Sequence, residues 1–236
     1  MVFDRTMSAS QYRRSKILEH ICSIDPGFGK KTIQSIQHST LELLYSLYDT
    51  EAFNGTLHQK YSVMRLSLSS RMLSSAGKFI HQRKWTPQLE GEIRMSSDIL
   101  FRLDVGPFHL NGLEVQTPQE AFLVVFEHEL IHAYEFAIAG YTSHDQYFKS
   151  LAFNIFGHTK STHQLPTRAQ ESTSIGIRIG TRVSFRYHGE TLKGYVTYIG
   201  KTLSVMVPSF KGKYIDNFGK RYNKYRVSPT LATPIK

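Results

Sequence analysis

Apolar positions along the chain change period several times, and those changes divide it into elements. Between Ser10 and Ser23, Tyr12, Ile17, Leu18 and Ile21 recur at helical spacing until Asp25-Pro26-Gly27 stops the run. A second helix is predicted from about Lys31 to Tyr48, with Ile33, Ile36, Leu43, Leu44 and Leu47 on one stripe. At Ser62–Ser69 the period drops to two: Met64, Leu66 and Leu68 alternate with mostly polar neighbours, the mark of a half-buried strand. Ser74-Ser75-Ala76-Gly77 turns into a second short strand near Lys78–Gln82. A third, Glu92–Ser96, follows a loop holding Trp85, Pro87 and Gly91, so a small three-stranded antiparallel sheet is expected. Ser97–Leu103 reads as a short helix, and Asp104–Gln116, with Gly106, Pro107 and Gly112, as a loop.

The next helix has the strongest start signal in the chain. Thr117-Pro118-Gln119-Glu120 supplies an N-cap Thr, Pro at the first helical position and Glu at the third. Phe122, Leu123, Val124 and Val125 then make an almost continuous apolar surface, as a helix crossing the core requires. More than two turns inside it stands His128-Glu129-Leu130-Ile131-His132, a His-Glu-x-x-His pattern. A helix of 3.6 residues per turn puts His128 and His132 one turn apart on one face, where both imidazoles can bind a single Zn²⁺. Glu129 sits at the edge of that face, placed to act as a general base. A lone buried histidine is satisfied by one hydrogen bond; two histidines one turn apart beside a glutamate point to a metal instead.

A catalytic zinc takes three protein ligands and keeps one position open. The elongated pattern with a third histidine six residues on is missing, because Glu135 and Ile138 occupy its Gly and His positions. His144, His158, His163 and Glu171 remain as candidates. Gly140 ends the motif helix, and Ser143-His144-Asp145-Gln146 opens another, with Ser143 as the expected N-cap, Phe148, Leu151, Ala152 and Ile155 on its apolar face and Gly157 at its end. The short connection makes the two helices antiparallel neighbours, which favours His144. Glu135 lies on the histidine face one turn further on and reads as a supporting or solvent group.

Charge changes the picture of the rest. The net charge of +10 is not spread evenly: residues 1–174 carry 17 Lys+Arg against 17 Asp+Glu, whereas residues 175–236 carry 12 against Glu190 and Asp216 alone. A neutral body with a polyanion-binding appendage is expected. The single cysteine, Cys22, excludes a disulfide framework and a Cys-rich zinc ribbon, so any metal site uses His and carboxylates. The start lacks the layout of a signal peptide and no apolar run reaches membrane-span length, so the expectation is a soluble, cytoplasmic protein with no membrane partner.

Residues 40–165 resemble the SprT-like metalloprotease domain. Leu47-Tyr48-Asp49 with Phe53-Asn54-Gly55-Thr56-Leu57 is similar to the family's entry motif, and Ser75-Ala76-Gly77 and Ile93-Arg94-Met95-Ser96 to its sheet segments. His128 to Tyr134 resembles its active-site helix, His144 with Phe148 its third-ligand segment, and Thr162-His163-Gln164 its closing motif in bacterial members. Asp145 departs from the usual Gly after the third histidine, and the four-Cys ribbon of many bacterial members has no cysteines here to form it. The resemblance implies an α+β fold, zincin-like, with one catalytic Zn²⁺ on His128, His132 and His144, Glu129 as general base, and substrates such as proteins crosslinked to DNA. His163 is expected beside the site, supporting a ligand, contacting substrate or held in a structural hydrogen bond. The expected layout is an N-terminal helical extension over 1–30, the protease domain over 31–170 and a basic module over 175–236.

In that module Arg182–Tyr187, Leu192–Ile199, Leu203–Val207 and Tyr225–Val227 read as alternating strands separated by turns at His188-Gly189 and Gly200-Lys201, suggesting a small SH3-like β-barrel. Phe185, Tyr195 and Tyr198 are expected to fill it. Ser209–Lys224 reads as a long loop in which Lys211, Lys213, Lys220, Arg221 and Lys224 can neutralise phosphates, while Phe210, Tyr214, Phe218 and Tyr222 can stack on bases. The function expected is a zinc endopeptidase acting on DNA-bound proteins, with single- or double-stranded DNA held by the tail. The alternative is a nucleic-acid-binding adaptor whose zinc domain is a scaffold with slight proteolysis. A weaker third has the tail binding RNA or an acidic protein.

Overall fold

The computed structural model describes residues 8–82, 89–104, 106–162, 165, 172–173 and 175–235. The chain divides into two compact units, Met1–Leu165 and Pro166–Lys236. The first mixes helices with a small sheet and the second is a six-stranded antiparallel sheet, an α+β protein.

The first unit begins with α1 (Ala9–Ile24), opened by a Ser8/Gln11 capping box and sending Ile17 and Ile21 into the core. The second helix, α2, runs from His38 to Phe53, later than the apolar stripe predicts. Ile33 and Ile36 are buried, but from an irregular segment. The cause is Asp25, whose carboxylate accepts from the Gly27, Phe28 and Gln37 backbone N–H groups and from the Thr40 hydroxyl, holding residues 25–37 as a closed loop. Asn54 and Gly55, both left-handed, then turn the chain into α3 (Thr56–Lys60), whose first N–H groups are taken by Asp49.

Strands β1 (Tyr61–Ser69), β2 (Gly77–Gln82) and β3 (Leu89–Ser96) form a sheet in the order β1-β3-β2. It is mixed, not antiparallel throughout: β3 runs parallel to β1 and antiparallel to β2. Alternation reports which residues face the core but carries no information on strand direction. A parallel neighbour needs a long crossover, and the stretch between β1 and β3, which includes β2, supplies one. The helix α4 (Ser97–Leu100) is capped by the Ser96 hydroxyl. The expected loop after it contains a hairpin, β4 (Phe108–Leu110) and β5 (Leu113–Val115), turned by left-handed Asn111 and Gly112.

Helix α5 (Pro118–Ala139) follows, with the Thr117/Glu120 capping box in place and left-handed Gly140 at its end. Every residue from Ala121 to Ile131 is buried, so this helix is the axis of the core, and α1, α3, β2 and β3 pack round it. Helix α6 (Gln146–Phe156) packs on α5 and ends at Gly157. Its N-cap is Asp145, not Ser143: the Asp145 carboxylate accepts from the Tyr147 and Phe148 N–H groups. Asp145, two residues after the expected Ser143, takes the position because its side chain reaches both free N–H groups.

The second unit is a meander of β6 (Arg182–Tyr187), β7 (Glu190–Ile199), β8 (Leu203–Pro208), β9 (Tyr214–Ile215), β10 (Arg221–Val227) and β11 (Thr233–Pro234). A 3₁₀ turn at Pro229–Leu231 brings β11 back against β6, giving the order β11-β6-β7-β8-β10-β9. Among the described residues the sheet is open between β11 and β9, and no closed barrel forms. Its core is Ile177, Val183, Phe185, Val196, Leu203, Val205, Val207, Val227 and Ala232. Phe185 fills this core as expected, but Tyr195 and Tyr198 do not, being 41% and 53% exposed. Tyr195 alternates with buried Val196, and the bulge between Val196 and Tyr198 shifts the register so that Tyr198 also faces outward. No helix among the described residues is long and apolar enough to cross a membrane.

Candidate metal centre

Position along α5 decides most of the site. His128 and His132 point from one face of a helix fixed by its capping box, and the Gly140 turn returns the chain so that His144 arrives opposite them, just before α6. The three Nε2 atoms form a near-equilateral triangle with edges of 3.1, 3.2 and 3.0 Å. A tetrahedral zinc with Zn–N of about 2.0–2.1 Å needs its nitrogens about 3.3 Å apart. The donor set therefore fits an ion of that kind. His128 is buried, His132 half-buried and His144 exposed, so the triangle opens toward solvent on one side. His144 is held below its ordinary imidazole pKa, first by burial and then by Lys149, which favours the neutral, metal-binding ring.

Phe148 forms the floor. Its ring, fully buried, lies with centroids 5.0, 4.5 and 4.9 Å from those of His128, His132 and His144. Because Phe148 is on the first turn of α6, the Asp145 cap that begins that helix also fixes this wall. Asp145 thus has a structural use at the position where the sequence departs from its expected glycine. Glu135 supports the same connection from α5: it is buried and accepts from the Ser143 N–H at 2.8 Å and the Ser143 hydroxyl at 3.0 Å, anchoring the residue next to His144. Its carboxylate also lies 3.9 Å from His132 Nδ1. Glu135 therefore holds the connection that carries His144 and lies near His132, and it is not a solvent group.

Glu129 is 4% exposed and its carboxylate accepts from the Phe79 backbone N–H on β2. Burial pushes its pKa up to about 8, in the range where a general base or acid works at neutral pH. A cation on the neighbouring imidazoles would favour the ionised form. The strand beside it must have no side chain at Gly77: a Cβ there would lie 2.6 Å from Glu129 Oε1 and 2.8 Å from its Cγ. That close approach was signalled only by a glycine at the start of a strand.

His158, a candidate ligand on sequence, is elsewhere. It is buried and its Nε2 meets Glu127 Oε2 at 2.9 Å, with Nδ1 3.3 Å from the Asn111 amide. Glu127 also receives two hydrogen bonds from Arg14, at 2.9 and 2.7 Å, and one from the Tyr48 hydroxyl at 2.9 Å. Burial opposes ionisation of Glu127, yet Arg14 and then His158 hold its pKa below the usual carboxylate value. This network ties α1, α2 and the segment after α6 to the residue preceding His128. Sequence reasoning missed it; the one available signal was Glu127, a further charged residue directly after the apolar run of residues 121–126. His163 and Glu171 lie outside the described residues.

The tail candidates fall on two turns and a strand. Lys211 and Lys213 lie between β8 and β9, Lys220 between β9 and β10, and Arg221 and Lys224 on β10 itself; all five are exposed. Ser209–Lys224 is therefore not one long loop but a short hairpin with its approach. Pairing across β6, β7, β8 and β10 puts Arg182, Tyr195, Met206 and Lys224 in one row, so a basic residue flanks an exposed tyrosine on the sheet's outer face.

A sequence model of the SprT-like family matches residues 41–170, which holds the whole histidine triangle, Glu129, Glu135 and Phe148. No match was found among curated proteins.

Proposed function

The chain belongs to the SprT-like family, and from that premise we propose that it is a zinc-dependent endopeptidase acting on DNA-associated proteins, including proteins crosslinked to DNA. The observation that carries the reading is the triangle of His128, His132 and His144 Nε2 atoms beside a buried glutamate. Zinc, when bound, supplies Lewis acidity toward a water and a scissile peptide carbonyl.

The protein's own groups do the rest. His128 and His132 come on a helix that cannot rotate, because its opposite face is packed in the core and pinned through Glu127. His144 is aimed by the Glu135–Ser143 hydrogen bonds and backed by Phe148. Glu129 accepts the proton of the attacking water and returns it to the leaving amine, a double role suited to a carboxyl whose pKa burial has raised. Its Phe79 N–H partner keeps the carboxylate at the edge of β2.

The second unit holds the enzyme on nucleic acid. Its support is electrostatic: 12 Lys+Arg against two acidic residues in residues 175–236, with five of the basic side chains exposed along β10 and the turns beside it. The return of β11 against β6 after a 3₁₀ turn supports reading this unit as an open, SH3-like module without a closed barrel. The test is to incubate zinc-loaded protein with a basic protein substrate, with and without single- or double-stranded DNA. DNA-stimulated cleavage is expected; tight, salt-sensitive DNA binding with no cleavage would overturn the peptidase and leave an adaptor.

A further inference from the structure

Two phenylalanines in the second unit are almost entirely in water: Phe210 at 103% and Phe218 at 96% exposure, the largest values among the exposed apolar side chains described. Bare phenyl rings normally find cover, and here their exposure is built in. Asp216 accepts from the Phe218 and Lys220 N–H groups and from the Tyr222 hydroxyl, each at 2.9 Å, so the turn that carries Phe218 is held from its centre. The turn carrying Phe210 is tied to β10: the Ser209 N–H donates to the Arg221 carbonyl, and the Arg221 guanidinium donates to the Gly212 carbonyl. The Phe210 turn lies so close to β10 that a Cβ on Gly212 would lie 2.4 Å from the Tyr222 backbone. A cleft of about 370 Å³ is walled by Phe210 from this turn and by Gly219, Lys220 and Arg221 from the end of the other, within the size range of small-ligand sites.

Charge says what fits. Lys220 and Arg221 line the cleft, Lys211 and Lys213 are exposed on the turn that follows Phe210, and the acidic residue nearest them in sequence, Asp216, is occupied in holding its turn. A polyanion is therefore the partner, and one with flat apolar faces free to stack. Duplex DNA offers phosphates but hides its base faces; a single strand offers both. We propose that this cleft and the adjoining turn that carries Phe218 form a base-stacking subsite for single-stranded nucleic acid, with Phe210 at the cleft and Phe218 beside it taking bases and the lysines of the same turns and Arg221 taking phosphates. This rests on the reading of the tail as a nucleic-acid module and names the form of nucleic acid it selects.

The rings carry no hydrogen-bond donor or acceptor, so the subsite does not read sequence through them; it reads whether bases are unpaired. Alanine at both positions removes no core contact, so the variants keep their fold.

The experiment measures binding of intact protein to a fluorescent dT oligonucleotide, to a duplex of the same length and to anionic phospholipid vesicles, over a range of salt. The single strand should bind tighter than the duplex. Phe210→Ala with Phe218→Ala should weaken single-strand binding by ~5- to 150-fold per stacked base, leave duplex binding and the salt slope unchanged, and be rescued by Phe210→Trp with Phe218→Trp. Lys211→Ala, Lys213→Ala and Lys220→Ala together should weaken both nucleic acids and flatten the salt slope. Equal affinity for both forms with no effect of the phenylalanine variants would overturn the stacking subsite while leaving the DNA reading intact. No binding to either nucleic acid would overturn both. Phenylalanine-dependent binding to the vesicles with none to the oligonucleotide would overturn the subsite in favour of a membrane surface.

Discussion

Replacing Glu129 by glutamine should make the metal-free protein more stable while abolishing its proposed activity. Buried Glu129 has a pKa of about 8 against an ordinary 4.5. Because the folded value is raised, the stability this group contributes is complete below pH 4.5 and is lost as pH rises to about 8. At pH 7 the loss is about 3 kcal/mol, at about 1.36 kcal/mol for each of the roughly 2.5 pH units above the ordinary value. Glutamine keeps the shape and an acceptor for the Phe79 N–H but does not titrate. In chelator, thermal unfolding from pH 4 to 9 should give curves that coincide near pH 4.5 and separate above it. The Glu129→Gln protein should unfold on the order of 10 °C higher at pH 7. Saturating zinc should narrow the gap, since a cation beside the carboxylate favours its ionised form. The same variant should retain one zinc per chain and lose about 10²- to 10⁴-fold in cleavage of a DNA-bound protein. Parallel pH–stability curves with no gap at pH 7 would refute the burial argument, and full cleavage by the variant would refute the proposed role.

Gly77→Ala should bind zinc normally yet lose most activity, because its new methyl group would occupy the space of the Glu129 carboxylate; zinc titration beside a peptidase assay separates the two effects. Arg14→Ala should destabilise the protein by about 3–5 kcal/mol, the usual result of leaving one member of a buried ion pair alone. Since the Glu127 pKa is held low, its contribution is present above pH 4.5 and lost as pH falls through the folded value, so this variant should also acid-unfold at higher pH. Ser143→Ala removes one of two hydrogen bonds to Glu135 and should weaken zinc binding severalfold through a less fixed His144, with helix content by circular dichroism unchanged.

Elements with a local cause were legible in the residues. The Thr117–Glu120 capping box, the left-handed glycines at Gly140 and Gly157, and the apolar run of α5 each act within a few residues of chain, and each stands where periodicity puts it. His128 and His132 belong to this class, because one helical turn fixes their separation. His144 needed only one further inference, that a short connection makes neighbours of two helices. Charge asymmetry was equally plain, since counting requires no fold.

What the sequence could not carry were decisions taken by residues far apart along it. Asp25 set the start of α2 by binding Gln37 and Thr40, against a stripe that ran seven residues earlier. Strand direction in the β1-β3-β2 sheet came from a crossover, which alternation does not record. His158 was removed from the ligand set by Glu127, and Glu127 was made tolerable by Arg14, 113 residues away. The outward turn of Tyr198 depended on a bulge, and the exposure of Phe218 and Phe210 on turns held by Asp216 and by Arg221. The sequence by itself determined which groups could do chemistry, because ligand type and helical spacing are local properties. The tertiary structure decided which of them meet, because a buried charge or a bare ring is settled only by the partners that the rest of the chain brings to it.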